Sequence, residues 1–278
     1  MHARPSADTT LDWDSFFNGG SSQRRSRPSR RDPMGEIESF ATGAAVTVSS
    51  LELRSTLATI ADSQLERWRA GATVLVEGNA WAKSILRNDY WTGIGIPNPG
   101  AHFGQASWWS AVAWSAAFIM ACARKTQAAL QLPNPVLGHP TLTENSRHAA
   151  YCWQAFRDRT AGTRGRFWTF QPADALVEAG DIVAKTREAV TVAQAWAATS
   201  AAAFNSFTSH CDIVVRIEGG NARVIGGNVG NSVSRTSYAL TASGRINTTL
   251  AANDANRVFA VLKPMGGAIS GRLMGMIA

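Results

Sequence analysis

The stretch Trp108–Arg124, WWSAVAWSAAFIMACAR, is the most apolar run in the chain and limits the fold more than any other segment. It is shorter than the ~20 apolar residues that cross a bilayer. It therefore predicts a helix enclosed in a domain core, not a membrane span. Two starts are open, one at Trp108 and one nearer Trp114. Pro133 and Pro135 close the helix after Gln127 to Gln131. Ser115 lies in the middle of the run, and a chemical reading depends on what that hydroxyl faces.

Other helices flank this one. A helix starts at Ser49 or Ser50, with Ser50 as its cap and Glu52 behind it. Leu51, Leu57, Ile60 and Leu65 supply the periodicity, and Gly71 ends it after Arg69. A shorter helix spans 79 to 88, with Trp81, Ile85 and Leu86 turned inward. Glu77 before it complements the helix dipole; a general acid is the rarer use of such a residue. Residues 89–107 are punctuated by Gly and Pro and read as a loop. Tyr90, Trp91 and His102 stand there either as a substrate-cleft wall, with Trp114 beyond them, or as packing aromatics. A helix over 143–158 carries the stripe Ala149, Trp153 and Phe156, with His148 on or near it as a structural histidine.

After Gly165 the pattern changes to β. Strands are expected at 166–170, 181–184, 211–218, 222–225, 232–240 and 258–263, with an Ala-rich helix or insertion at 188–204. Gly219-Gly220-Asn221 marks a tight hairpin, because these residues tolerate positive φ. Helices first and an antiparallel sheet second predict an α+β domain. That domain spans 49–263. Residues 1–48 read as an extended or disordered tail and 264–278 as a C-terminal tail.

The charge lies partly in the first tail. The chain carries 27 Lys and Arg against 20 Asp and Glu, a net +7, and five arginines lie between Arg24 and Arg31. Such a balance favours anionic partners. A nucleic-acid role is unsupported, since the basic run lacks interleaved aromatics. Residues 11–17, LDWDSFF, are a candidate docking peptide for a protein assembly. The three cysteines, Cys122, Cys152 and Cys211, read as buried free thiols. No metal-ligand spacing appears among the His and Cys residues, and no cofactor is expected. The N-terminus lacks the apolar segment of a signal peptide. The chain is accordingly expected to be made in the cytoplasm, and to reach the periplasm or cell exterior by lysis or injection if it acts there.

Four segments in order carry a resemblance: Trp114-Ser-Ala-Ala-Phe-Ile119, Gly180-Asp-Ile-Val183, Ser209-His-Cys-Asp-Ile-Val-Val215 and Ile225-Gly-Gly-Asn-Val-Gly-Asn-Ser-Val233. The pattern resembles the papain-like NlpC/P60 and CHAP superfamily of peptidoglycan hydrolases. Within that likeness it is most similar to the DUF2272 family, which has Trp-Ser-Ala-Ala-Phe in the same place. The resemblance covers roughly 55–263. It implies a papain-like fold and a cell-wall amidase or peptidase, carried by a phage particle or a contractile injection system. It puts Ser115 where the superfamily has its nucleophilic cysteine, His210 at the base and Asn228 at the third position. Asp212 shares the His210 face and rivals Asn228, which is also a natural turn residue. The departure from cysteine matters, because a serine needs a true general base during attack. Three readings follow for Ser115: an active nucleophile, a relic in a fold that kept only binding, or a hydroxyl bonding a backbone carbonyl inside its helix.

Overall fold

The computed structural model describes residues 46–133, 135–137, 147–187, 190–203 and 206–269. These belong to the compact unit Gly43–Ala278. The candidate docking peptide at 11–17 and the basic run lie outside the described residues.

The chain enters through a short strand β1 (Val46–Val48) and helix α1 (Ser50–Arg67). Ser49, one residue before the expected cap, closes a capping box: its hydroxyl accepts from Glu52 N, and the Glu52 carboxylate accepts from Ser49 N. Two orphan N–H groups are thereby satisfied by one pair of side chains. A two-residue ribbon follows, β2 (Arg69–Ala70) with β3 (Thr73–Val74). Helix α2 (Ala80–Ile85) is capped by Asn79 and runs on into a wider π turn, Leu86–Trp91. Ile85 and Leu86 are buried as expected, but Trp81 is 59% exposed and points outward.

Between Trp91 and Trp114 the chain is only partly loop. It forms a 3₁₀ turn at Thr92–Ile94 and two short helical turns, α3 (Pro99–His102) and α4 (Trp108–Ala111). Val112 is extended and breaks the apolar run, so the central helix α5 is Ser115–Ala129. Every residue from Ser115 to Ala123 is buried. A helix apolar around its whole circumference can satisfy that surface only by being surrounded, and α5 packs against α1, β6 and β7. Helix α6 (His148–Thr160) follows.

The main sheet is built from β4 (Arg166–Phe170), β5 (Ile182–Thr186), β6 (Ser209–Glu218), β7 (Asn221–Val229), β8 (Ser232–Ala239) and β9 (Val258–Met265). Their order is β4-β9-β5-β6-β7-β8, and all pairings are antiparallel. Helix α7 (Val192–Ser200) interrupts the strands between β5 and β6. The protein is thus an α+β fold, with the helices largely preceding an antiparallel sheet. The β6–β7 hairpin closes through Gly219 (φ 55°) and Gly220 (φ 72°), with Glu218 opposite Asn221. Positive φ at both loop residues is the geometry that matches strand twist. A last strand, β10 (Gly267–Ile269), pairs with β1. The ordered pairing therefore extends beyond 49–263 at both ends.

The sheet is buried on both faces. Cys211, Ile213, Val215, Ile182 and Ile225 join the large core formed with the helices. Val183, Val214, Val224, Val261 and Tyr238 form a smaller core on the other face with Ala175, Val177 and Ile246. This alternation along β5 and β6 is the period-2 pattern of strands. Among the described residues no helix is long and apolar enough to cross a membrane.

Candidate functional site

Ser115 is the first residue of α5, and Trp114 precedes it as the cap residue. The first N–H groups of a helix have no intrahelical acceptor and carry its positive end. An oxygen that gains charge there is stabilised.

An aromatic clamp fixes this helix start. The Trp114 indole donates to Glu77 Oε2 at 2.8 Å, although Glu77 is only 8% exposed. Trp68 stacks on Trp114 at 4.9 Å and donates its own indole N–H to Tyr90 Oη at 2.9 Å. Tyr90 meets Phe118 edge-on at 5.7 Å. Each such ring pair is worth ~0.5–1.5 kcal/mol beyond area burial. This corrects the reading of Tyr90, Trp91 and Trp114 as cleft-lining residues. They are 0–1% exposed, and Trp91 packs against Phe103 at 5.0 Å. The large apolar rings gain more from enclosure than a solvent-facing wall would give them. His102 is exposed on α3 beside Phe103.

The hydroxyl of Ser115 meets a different histidine from the one expected. Its Oγ lies 2.8 Å from Nε2 of His148, the first residue of α6. Three residues on, on the same helical face, Tyr151 donates its hydroxyl to the carbonyl of Ala116 at 3.0 Å. One face of α6 is therefore bonded at two points to the first turn of α5. Both members of the Ser115–His148 pair are nearly enclosed, at 4% and 5% exposure. Nδ1 of His148 is buried and has no partner among the described residues. Burial foremost, then the nearby His210 and Arg187, hold the His148 imidazole well below its usual pKa. The ring is thus neutral at neutral pH, and whether Nε2 accepts from Ser115 Oγ or donates to it depends on the tautomer.

His210 stands behind this pair, its ring centroid 5.5 Å from that of His148. Both of its nitrogens are engaged elsewhere. Nε2 lies 2.9 Å from Asp212 Oδ1, and Nδ1 lies 2.8 Å from Nη2 of Arg187. A guanidinium only donates. The bonding partners therefore make Nδ1 the bare nitrogen and place the ring proton on Nε2, directed at Asp212. The other oxygen of Asp212 accepts from the Tyr238 hydroxyl at 2.7 Å. Burial acts to raise the Asp212 pKa, but the His210 imidazole, Lys185 and the Tyr238 hydroxyl outweigh it and hold the carboxyl at about 2. The result is a continuous chain, Arg187–His210–Asp212–Tyr238, one imidazole away from Ser115.

Of the residues expected to act together, Ser115 and His210 come into one cluster but are joined through His148. Asp212 takes the orienting place beside His210. Asn228, which the resemblance put there, sits at φ 58° where the β7–β8 register shifts. Left-handed backbone suits its turn role, and the bonds of His210 go to Asp212 and Arg187 instead.

The two glycines before Asn228 explain that segment better. A Cβ on Gly226 would fall 2.0 Å from Asp212 Oδ1 and 2.9 Å from His210 Nε2. One on Gly227 would fall 2.4 Å from Phe118 Cβ and 3.0 Å from the Trp114 ring. Strand β7 is bare on both faces here. Asp212 and His210 close against one side and the start of α5 against the other. The Gly180-Asp181 pair has a parallel explanation. A Cβ on Gly180 (φ 86°) would strike the Arg54 backbone at 2.3 Å. Fully enclosed Asp181, its pKa raised by burial to about 6, meets Lys263 Nζ at 2.6 Å and Arg54 Nε at 3.5 Å.

Sequence reasoning gave His148 a structural place on its helix rather than a place in the site, and did not single out Arg187. The signal for His148 was its spacing to Tyr151, which places two polar-tipped rings on one helical face. Nothing local marks Arg187. Among the described residues no cluster of three or more His, Cys, Asp or Glu is placed to hold a metal ion.

No curated protein and no solved structure matches the chain. A family model does, over residues 78–263, a span that holds Ser115, His148, Arg187, His210, Asp212 and the glycine pair; the chain belongs to the family described as uncharacterized protein conserved in bacteria (DUF2272).

Proposed function

We propose that the chain is a serine-type amide hydrolase on a papain-like scaffold, acting on the peptide amides of bacterial cell wall, with Ser115 as nucleophile and His148 as general base. The observation that carries the reading is the 2.8 Å contact between Ser115 Oγ, at the tip of a 15-residue helix, and Nε2 of the buried His148 imidazole. In this scheme the Ser115 proton passes to His148 Nε2 as Oγ bonds the amide carbon. The oxyanion faces the free N–H groups of the first turn of α5. The amine leaves with the proton from His148, and water, activated by the same imidazole, releases the acid from Ser115. His210 and Asp212 form the polar wall behind the base. The substrate class rests on the likeness of four sequence segments to papain-like wall hydrolases.

A second reading has its own observation. With Ser115 and His148 at 4% and 5% exposure, a substrate carbonyl has little access, which favours a domain that binds without turnover.

Purified protein is incubated with isolated wall sacculi, and soluble fragments are quantified for wild type, Ser115→Ala, His148→Gln and His210→Gln. The proposal expects fragments from wild type, loss in the first two variants by at least ~100-fold, and labelling of Ser115 by a fluorophosphonate. Silence in both assays between about pH 5 and pH 9 overturns it and leaves the binding reading.

A further inference from the structure

Arg187 is the exposed end of the Arg187–His210–Asp212–Tyr238 chain, whose other members are buried. Among the described residues its side-chain hydrogen bond runs to an imidazole nitrogen. Among the described residues its guanidinium meets this ring and no carboxylate. A second exposed arginine, Arg257, also without an ion pair among the described residues, donates to the Arg187 carbonyl at 3.4 Å. Two exposed arginines are thus linked at this end of the chain, Arg257 through the Arg187 backbone and Arg187 through His210.

Geometry adds direction to charge. A guanidinium offers five N–H donors in a planar fork. The contact to His210 Nδ1 uses one of them and aims the plane. His210 cannot turn away easily, since Asp212 holds its other nitrogen and Tyr238 holds Asp212. The remaining donors are thus presented in a fixed orientation, and the ordering entropy that usually weakens a surface arginine is already spent. Planar, bidentate donors of this kind match a carboxylate.

We propose that Arg187, supported by Arg257, is a substrate-binding residue that recognises a free carboxylate of the peptide whose amide is presented to Ser115. The inference rests on the hydrolase reading and narrows its substrate class. Preferred substrates carry an ionised carboxyl a short distance from the scissile bond, as a peptide ending in a free α-carboxylate does.

The test separates binding from turnover. Full-length Ser115→Ala protein is titrated calorimetrically with N-acetyl-alanyl-alanine and with its C-terminal amide, alone and combined with Arg187→Gln or Arg187→Lys. Turnover is followed in parallel with 4-nitrophenyl acetate on chains that keep Ser115. The carboxylate form is expected to bind at least about tenfold more tightly than the amide. Arg187→Gln should abolish that preference, and Arg187→Lys should retain part of it. Thermal melts establish that each variant is folded, and the lysine variant serves the comparison if the glutamine variant is not. Equal affinity for the two peptides, no binding of either, or a preference that survives Arg187→Gln overturns the proposal. Ester cleavage that depends on Ser115 without a carboxylate preference leaves the hydrolase reading standing and removes this one. An Arg187-dependent preference without any cleavage does the reverse.

Discussion

In Gly226→Ala the new methyl carbon would stand 2.0 Å from Asp212 Oδ1, 2.9 Å from His210 Nε2 and 3.0 Å from Val229 Cγ2. The carboxylate cannot simply swing aside, because Asp212 is 2% exposed and both its oxygens are bonded, one to His210 and one to Tyr238. Overpacking a core position costs typically ~1–3 kcal/mol. Displacing the carboxylate from one of its partners costs a further ~1.5–3 kcal/mol, as for hydrogen bonds to charged groups. The expected loss of stability is therefore about 2.5–6 kcal/mol. Urea unfolding followed by tryptophan fluorescence and by circular dichroism measures it, with coincident transitions as the check on two-state behaviour. Gly78→Ala is the control: no atom lies within 4 Å of its added Cβ, and its backbone is not left-handed. That control should stay within ~0.5 kcal/mol of wild type. A loss below about 1 kcal/mol for Gly226→Ala would mean that the carboxylate is not seated against β7, and the Asp212–His210 geometry would fall with it.

Three further outcomes follow from particular contacts. Ser49→Ala removes the hydroxyl half of the α1 capping box and should cost ~1 kcal/mol in the same urea assay, whereas Ser50→Ala should leave the box intact. His148 is held below its usual pKa in the folded chain, so on acidification below ~6.5 the unfolded state binds a proton that the native state refuses, and stability falls with pH. His148→Gln should flatten that slope between about pH 6.5 and pH 5, while the loss tied to Asp212, depressed to about 2, begins only near pH 4 and should remain. An unchanged slope would count against the buried state of His148. Cys122, Cys152 and Cys211 are all buried, and burial raises the Cys122 and Cys211 thiols. Ellman's reagent should therefore react slowly with the native protein and with three thiols in urea. Rapid native reaction would show that the core around β6 and α6 is open.

Much of the local architecture was legible because its causes are local. The hairpin at Gly219-Gly220 was readable since few residues tolerate two consecutive positive φ angles. The strands of the sheet followed from β-prone runs and turn punctuation. The apolar run at 108–124 announced a buried helix, and Val112 in extended geometry decided between its two starts. Trp81 shows the limit of such reasoning. Its spacing suited an inward face, yet it lies 59% exposed, because α2 has only six residues and turns only Ala82 and Ile85 fully inward.

The sequence by itself determined the order of elements, the burial of α5 and the presence of a hydroxyl at its tip. Periodicity and turn chemistry act over a few residues and need no partner to be read. Tertiary structure decided which imidazole meets that hydroxyl. The seating of α6 on α5, held by Tyr151 on Ala116, brings His148 to Ser115, while Asp212 and Arg187 take up both nitrogens of His210. It also decided that the glycines before Asn228, more than Asn228 itself, make room for the site. Those choices depend on close approach between segments far apart along the chain, 33 residues for Ser115 and His148, where a displacement of an ångström exchanges one hydrogen-bond partner for another, and no pattern along the chain encodes a distance that small.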